Sequence, residues 1–138
     1  VSLVIDASVA LAWLFDRLEA REAAQAMKLL ASLRSRRGLV PALWHTEIVN
    51  VLAVAQRRGV LSISKASDFL AGLDRLSITT DDSPVAPRKG QLLSLAREQS
   101  LSAYDATYLE LALRTGSALA TFDQKLAKAR DASGIAAE

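Results

Sequence analysis

The chain has 138 residues, 51% of them hydrophobic and 23% charged, so its length predicts one domain over 1–138 with enough apolar residues for a core. It has no cysteine, which excludes disulfide scaffolds, thiolate zinc sites and cysteine nucleophiles and fits a cytoplasmic protein. The net charge is only +2, from 17 Lys and Arg against 15 Asp and Glu, so no overwhelming basic field announces nucleic acid.

Val1–Ile5 is apolar but lacks a basic leader and meets Asp6 at once, so no signal peptide is expected. Charges interrupt every apolar run before about 18 residues, so no membrane span is expected either. Leu3-Val4-Ile5 suits a buried strand, and Ser8–Phe15 begins a helix directly after it. Leu18–Arg36 repeats Ala23, Ala26, Met27, Leu30 and Leu33 at helical spacing and closes on Arg36-Arg37-Gly38, which reads as a helix end. Leu39-Val40 is a short second strand. Leu43–Arg58 predicts a helix stopped by Gly59, Lys65–Leu76 another, and Ser77–Thr80 a strand. Asp81–Gly90, with Pro84 and Pro87, is loop-like, and Arg88–Gln99 is helical.

Ser102 is placed to cap a helix over Ala103–Thr115, with Asp105 in its first turn and Gly116 just beyond its end. Ser117–Thr121 then predicts a strand and Asp123–Arg130 a last helix, after which the tail is too short to classify. Short apolar strands alternating with amphipathic helices imply a three-layer α/β/α domain around a short parallel sheet. In such sheets ligands sit beyond the carboxyl ends of the strands, where Asp6 and Asp123 both fall.

Four acids stand in awkward places. Asp6 either caps the helix that follows or points off the sheet's carboxyl edge. Glu47 interrupts the apolar stripe of Trp44, Ile48, Val51, Leu52 and Ala55, where a charge is costly unless it is paired or snorkels to water. Asp105 shares the buried face of Tyr108, Leu109 and Ala112, although a first-turn acid also complements the helix dipole. Asp123 is placed to cap the last helix. Taken together, four acids without an obvious local cation would repel one another if they converged, and bound cations would make such a cluster sensible.

An all-oxygen set selects a hard ion such as Mg2+ or Mn2+, because cysteine is absent and the lone histidine cannot build a zinc site. Such ions suit phosphodiester hydrolysis. Ser8 and Thr121, each two residues from a proposed ligand, are placed either to orient carboxylates or to serve as turn hydroxyls. If the four acids share one pocket, the remaining surface is net basic. Arg34, Arg36, Arg37, Arg57, Arg58, Arg88 and Lys89 are then either RNA-phosphate contacts or solvated helix ends, and the latter is the simpler reading. His45 lacks a nucleophile motif nearby and reads as a surface residue, while Trp13 and Trp44 read as core. No Gly-x-Ser-x-Gly motif or phosphate-binding glycine loop is present.

In Val4-Ile5-Asp6-Ala7-Ser8-Val9-Ala10-Leu11, Glu47-Ile48-Val49-Asn50-Val51-Leu52, Tyr104-Asp105-Ala106-Thr107-Tyr108-Leu109-Glu110-Leu111-Ala112 and Ala120-Thr121-Phe122-Asp123-Gln124-Lys125-Leu126, the chain resembles the PIN-domain family, specifically its bacterial VapC-type toxin ribonucleases. Order and spacing agree over nearly the whole length. The resemblance implies a Rossmann-like sheet, an acidic Mg2+ or Mn2+ site built from Asp6, Glu47, Asp105 and Asp123, endoribonuclease activity, a cognate antitoxin and a homodimer. Asp6 and Asp105 match the acids that usually hold the metal most directly; Asn50 matches a commonly polar position. Val1 stands first instead of Met, and the tail lacks the clear final apolar strand often seen in the family.

Two other classes compete. A non-catalytic PIN-like module would bind RNA or protein and use its acids as caps, and metal-dependent cleavage separates it from the enzyme. A phosphohydrolase of the haloacid dehalogenase type would want a second Asp two residues after the first, where Ser8 stands. A receiver domain would want a lysine at the end of a late strand, and none is evident there.

Overall fold

The computed structural model describes residues 2–15 and 19–138. Strand β1 (Leu3–Ile5) leads into helices α1 (Ala7–Ala12) and α2 (Ala20–Ser32), and β2 (Gly38–Pro41) into α3 (Ala42–Arg57) and α4 (Ile63–Asp74). Strand β3 (Ile78–Asp81) is followed by a 3-10 turn (Ala86–Arg88), α5 (Lys89–Gln99) and α6 (Ala103–Thr115), and β4 (Ala118–Ala120) by α7 (Gln124–Ala132). The strands are all parallel in the order β3-β2-β1-β4, with Leu3 opposite both Gly38 and Ala118. Every residue of β1 and β4 is buried. Successive strand residues point to opposite faces, so both faces of the sheet are covered, as a three-layer α/β/α domain requires.

Helix α6 packs on β1, β2 and β4, and Leu109 and Leu111 join Leu3, Ile5, Ile48, Leu119 and Leu126 in one hydrophobic cluster. It lies where the sequence places it. Ser102 Oγ accepts the Asp105 N–H at 3.1 Å, and Gly116 closes the C-terminus at φ 65°, a conformation that only glycine adopts freely.

Two expectations are corrected. Gly38 does not end the second helix, which stops at Ser32. It opens β2 instead, where a Cβ would meet Ile5 Cδ1 at 2.9 Å and Ile78 Cγ1 at 3.0 Å, so its value is close approach and not a turn. Helix α1 ends at Ala12, earlier than expected, because Trp13 and Leu14 tighten into i→i−3 bonds and the Trp13 indole donates to Ala26 O of α2 at 2.8 Å. The tail is ordered against the sheet: Ala137 forms a parallel bridge with Leu119, and Arg36 pairs with Glu138 at 2.6 Å. The expected helix start at Leu18 lies outside the described residues.

Candidate active site

Parallel strands deliver their last residues to one edge of the sheet, and β1 and β4 are neighbours there. Asp6 follows β1 directly and is 6% exposed, with its N–H donating to Ala120 O of β4 at 3.0 Å. It occupies the cap position of α1 but its side chain accepts no capping bond, so the cap reading does not account for it. Its Oδ2 accepts two hydroxyls instead, from Ser8 at 2.7 Å and Thr121 at 2.6 Å. Ser8 Oγ in turn accepts the Phe122 N–H at 3.0 Å, and Thr121 Oγ1 accepts the Asp123 N–H at 3.0 Å. The two junctions after β1 and β4 are thereby stitched around one carboxylate.

Glu47 projects half-buried from α3, and its Oε1 accepts the hydroxyl of Tyr108 on α6. Asp105 stands three residues before Tyr108, on the same face of α6 and half-buried. Asp123 does cap α7, accepting the Leu126 N–H at 2.9 Å, yet it is exposed and its charge reaches both Asp6 and Asp105. Asp6, Glu47 and Asp105 respond to their neighbours. Burial pushes the Asp6 carboxyl up, and the charge of Asp123 adds to it against the two hydroxyls. Burial also raises Glu47, with Asp6 and Asp105 adding to it against the Tyr108 bond, and raises Asp105, with Asp123 and Asp6 adding to it against the Ser102 hydroxyl and the charge of Lys125. Electrostatically, then, every pair of the four except Glu47 and Asp123 is in communication.

The donors fit a hard divalent cation in kind: carboxylates and hydroxyls with mutual repulsion to relieve. Among the described residues, no three His, Asp or Glu side chains are arranged to hold one ion unaided. Mg2+ ordinarily keeps several waters and takes one or two carboxylates directly, so this spread of acids suits an ion bound partly through water.

Other candidates go elsewhere. His45 Nε2 lies 2.8 Å from Thr80 Oγ1 on β3, and its ring meets Trp44 edge-on. Trp44 is core, as expected, with its indole N–H buried and unpartnered. Arg88 is no solvated phosphate contact: it donates to Glu110 Oε1 at 3.0 Å and to Pro84 O at 2.6 Å. Arg114 completes this group, donating to Glu110 Oε2 at 2.8 Å and to Asp81 Oδ2 at 2.8 Å. Reading the sequence had placed Tyr108 on a buried face without giving it a partner. A phenol and a carboxylate each set into an apolar stripe were the available signal.

A parallel α/β sheet with acids gathered at its carboxyl edge places them where ligands bind in open α/β domains. Compared with known families, the chain belongs to the PIN-domain family, whose model matches residues 3–132. Domains of this family are generally nucleases and generally use divalent metal ions. Among solved structures the chain is similar to PAE2754 from Pyrobaculum aerophilum, at 25% identity and a TM-score of 0.71 over 99% of this chain and 89% of that one. It shares the fold of FitAcB from Neisseria gonorrhoeae, at 21% identity and a TM-score of 0.64 over 98% and 95%. It also shares the fold of VapBC2 from Rickettsia felis, solved bound to a DNA fragment from their promoter, at 11% identity and a TM-score of 0.67 over 100% and 98%. No curated protein matches the chain. Among the described residues no helix is long and apolar enough to cross a membrane.

Proposed function

We propose that this chain, acting as one PIN unit in the cytoplasm, is a metal-dependent endoribonuclease and the toxin of a toxin-antitoxin pair. One observation carries the reading: Asp6, Glu47 and Asp105 are all raised by burial and by one another's charge or that of Asp123, with no arginine to balance them. Such an arrangement costs folding stability in the absence of a cation, and binding one would offset that cost. Asp6 and Asp105 would hold Mg2+ or Mn2+ most directly, with Glu47 and Asp123 completing the set directly or through water. When bound, the ion supplies charge stabilisation at the phosphoryl oxygen and a more acidic water for attack on phosphorus. Ser8 and Thr121 fix the Asp6 carboxylate through two hydroxyls on one oxygen, leaving the acid no freedom to rotate away. Lys125, whose charge reaches Asp105, would attract an incoming RNA phosphate.

Purified protein is expected to cleave single-stranded or looped RNA with Mg2+ or Mn2+ and to stop with chelator, and Asp6→Asn is expected to lose at least about 100-fold in rate. Equal cleavage by wild type and Asp6→Asn would remove these acids from the reaction. Cleavage of DNA in preference to RNA would correct the substrate.

The antitoxin reading rests on the VapC resemblance and on a partly apolar groove between α3 and α4. Val49 and Leu70 are exposed there and line a cavity of about 240 Å3 with Trp44 and Ile48, its polar side being His45, Asp74 and Thr80. An amphipathic helix laid in that groove is the form of partner it suits. Co-expression with the adjacent small open reading frame should yield a complex with suppressed activity. The homodimer that the resemblance implies is checked by light scattering on the purified chain.

A further inference from the structure

Tyr108 is fully buried, yet its hydroxyl reaches out of the core to a carboxylate on another helix. Its ring sits among core residues, so the hydroxyl has a fixed position. Glu47 is its opposite: a half-buried side chain with three rotatable bonds that would sweep through solvent if nothing held it. The bond takes one oxygen, Oε1, and leaves Oε2 without a hydrogen-bond partner among the described residues. The charge of Asp6 also reaches the hydroxyl. Helix α6 therefore carries both an acid of the site, Asp105, and, one turn later, the anchor of another.

We propose that Tyr108 is a positioning residue that holds the Glu47 carboxylate with its free oxygen available to a divalent cation, and thereby sets the affinity of the site for that ion. The proposal rests on the metal-dependent reading above and names a residue that touches neither substrate nor cation. A phenol suits the task because it presents one O–H, which donates to the Glu47 carboxylate and takes up only one of its two oxygens. Partners that orient a ligating carboxylate typically contribute 10- to 100-fold in metal affinity.

The test is calorimetric titration of Mn2+ into chelator-treated, dialysed protein. Tyr108→Phe is expected to weaken Mn2+ binding by about 10- to 100-fold while melting in chelator within a few degrees of wild type. In a Glu47→Gln background the same change is expected to add less than about twofold, because the carboxylate it serves is gone. Glu47→Asp reaches the bond from the exposed side, drawing the carboxylate back by one methylene, and serves if phenylalanine disturbs the core. It is expected to weaken binding to a similar degree. Wild-type affinity in Tyr108→Phe or in Glu47→Asp overturns the proposal, as does a Tyr108→Phe loss that persists undiminished beside Glu47→Gln. Failure of the wild type itself to bind Mn2+ at millimolar concentration overturns the metal reading as a whole, an outcome distinct from equal and tight binding by both proteins.

Discussion

Two groups of acids lie against the carboxyl edge of the same sheet, and they are treated in opposite ways. Asp6, after β1, and Asp105, on α6, belong to a group whose members raise one another and meet no arginine. Asp81, at the end of β3, and Glu110, also on α6, sit among two arginines. Glu110 is 6% exposed, as buried as Asp6. Yet Arg88 and Arg114 each bond one of its oxygens, at 3.0 and 2.8 Å, and Arg114 reaches on to Asp81. Burial works to raise Asp81, and the Arg114 and Ser83 hydrogen bonds with the Arg114 charge overcome it, holding Asp81 below its ordinary value. The bonds to Glu110 and Asp81 push Arg114 further up. One helix serves both groups, because five residues turn it by about 140° net and send Asp105 and Glu110 to different sides. Burial does not separate the two groups of acids; compensation by arginine does.

The largest effect that sharpens this contrast is expected in the compensated group. Glu110→Ala leaves two arginines facing a lost partner in a mostly buried setting, and breaking a buried pair in this way costs about 3 kcal/mol. In a chain of this size that is a fall in melting temperature of roughly 10 °C. The loss should be the same with chelator or with Mn2+. A fall of less than about 2 °C would show that the network is dispensable, and the contrast with the other acids would lose its structural half.

Most of the fold was legible because strand and helix periods were clean. Leu3–Ile5 is a strand with the expected boundaries, and Ser102 and Gly116 bracket α6 where a cap and a left-handed stop belong. Gly38 was misread because a Gly after two arginines looks like a helix end, whereas its reason lies in Ile5 and Ile78, on two other strands. The acids were legible as misfits and not as groups. Asp105 and Glu110 look alike along α6, and the Glu110–Arg114 spacing is visible as an i,i+4 pair, but Arg88 reaches Glu110 across 22 residues. Nothing local marks that reach, so Arg88 read as a solvated cation. Asp123 shows the opposite difficulty, since a cap and a charge of the cluster are the same side chain.

A medium effect belongs to metal. At about ten times its dissociation constant, a single Mn2+ stabilises a protein that binds it only when folded by roughly 1.4 kcal/mol. That is a rise in melting temperature of about 5 °C. Glu110→Gln should keep the rise, because its neighbours are arginines, and Asp105→Asn should lose most of it. A normal rise in Asp105→Asn would take that acid out of the site, and no rise in Glu110→Gln would mean that the two groups are not independent.

The smallest effect is the most discriminating, because it needs neither substrate nor metal. Asp105 has a folded-state pKa above its ordinary value of 3.8, so between those two values the folded chain holds more proton than the unfolded one. Stability contributed by this group therefore falls as pH rises through that window, and the penalty is complete above the raised value. Asp6 follows the same sign from 3.8 and Glu47 from 4.5. Asp81 has the reverse sign: its contribution is present above 3.8 and is lost only as pH falls through its lowered folded value. In chelator, then, lowering the pH from 8 toward the raised value of Asp105 should stabilise wild type relative to Asp105→Asn, while Asp81, held below its ordinary value, stays ionised. At pH 8 the variant should melt at the same temperature as wild type or slightly higher, since it removes a repelled charge, keeps the Asp105 N–H that Ser102 caps, and leaves an amide oxygen able to accept the Ser102 hydroxyl. Thermal melts across this range decide between the two descriptions of Asp105. If it were a stabilising helix-terminal charge, Asp105→Asn would melt lower at pH 8 and the gap would close on acidification, the opposite slope.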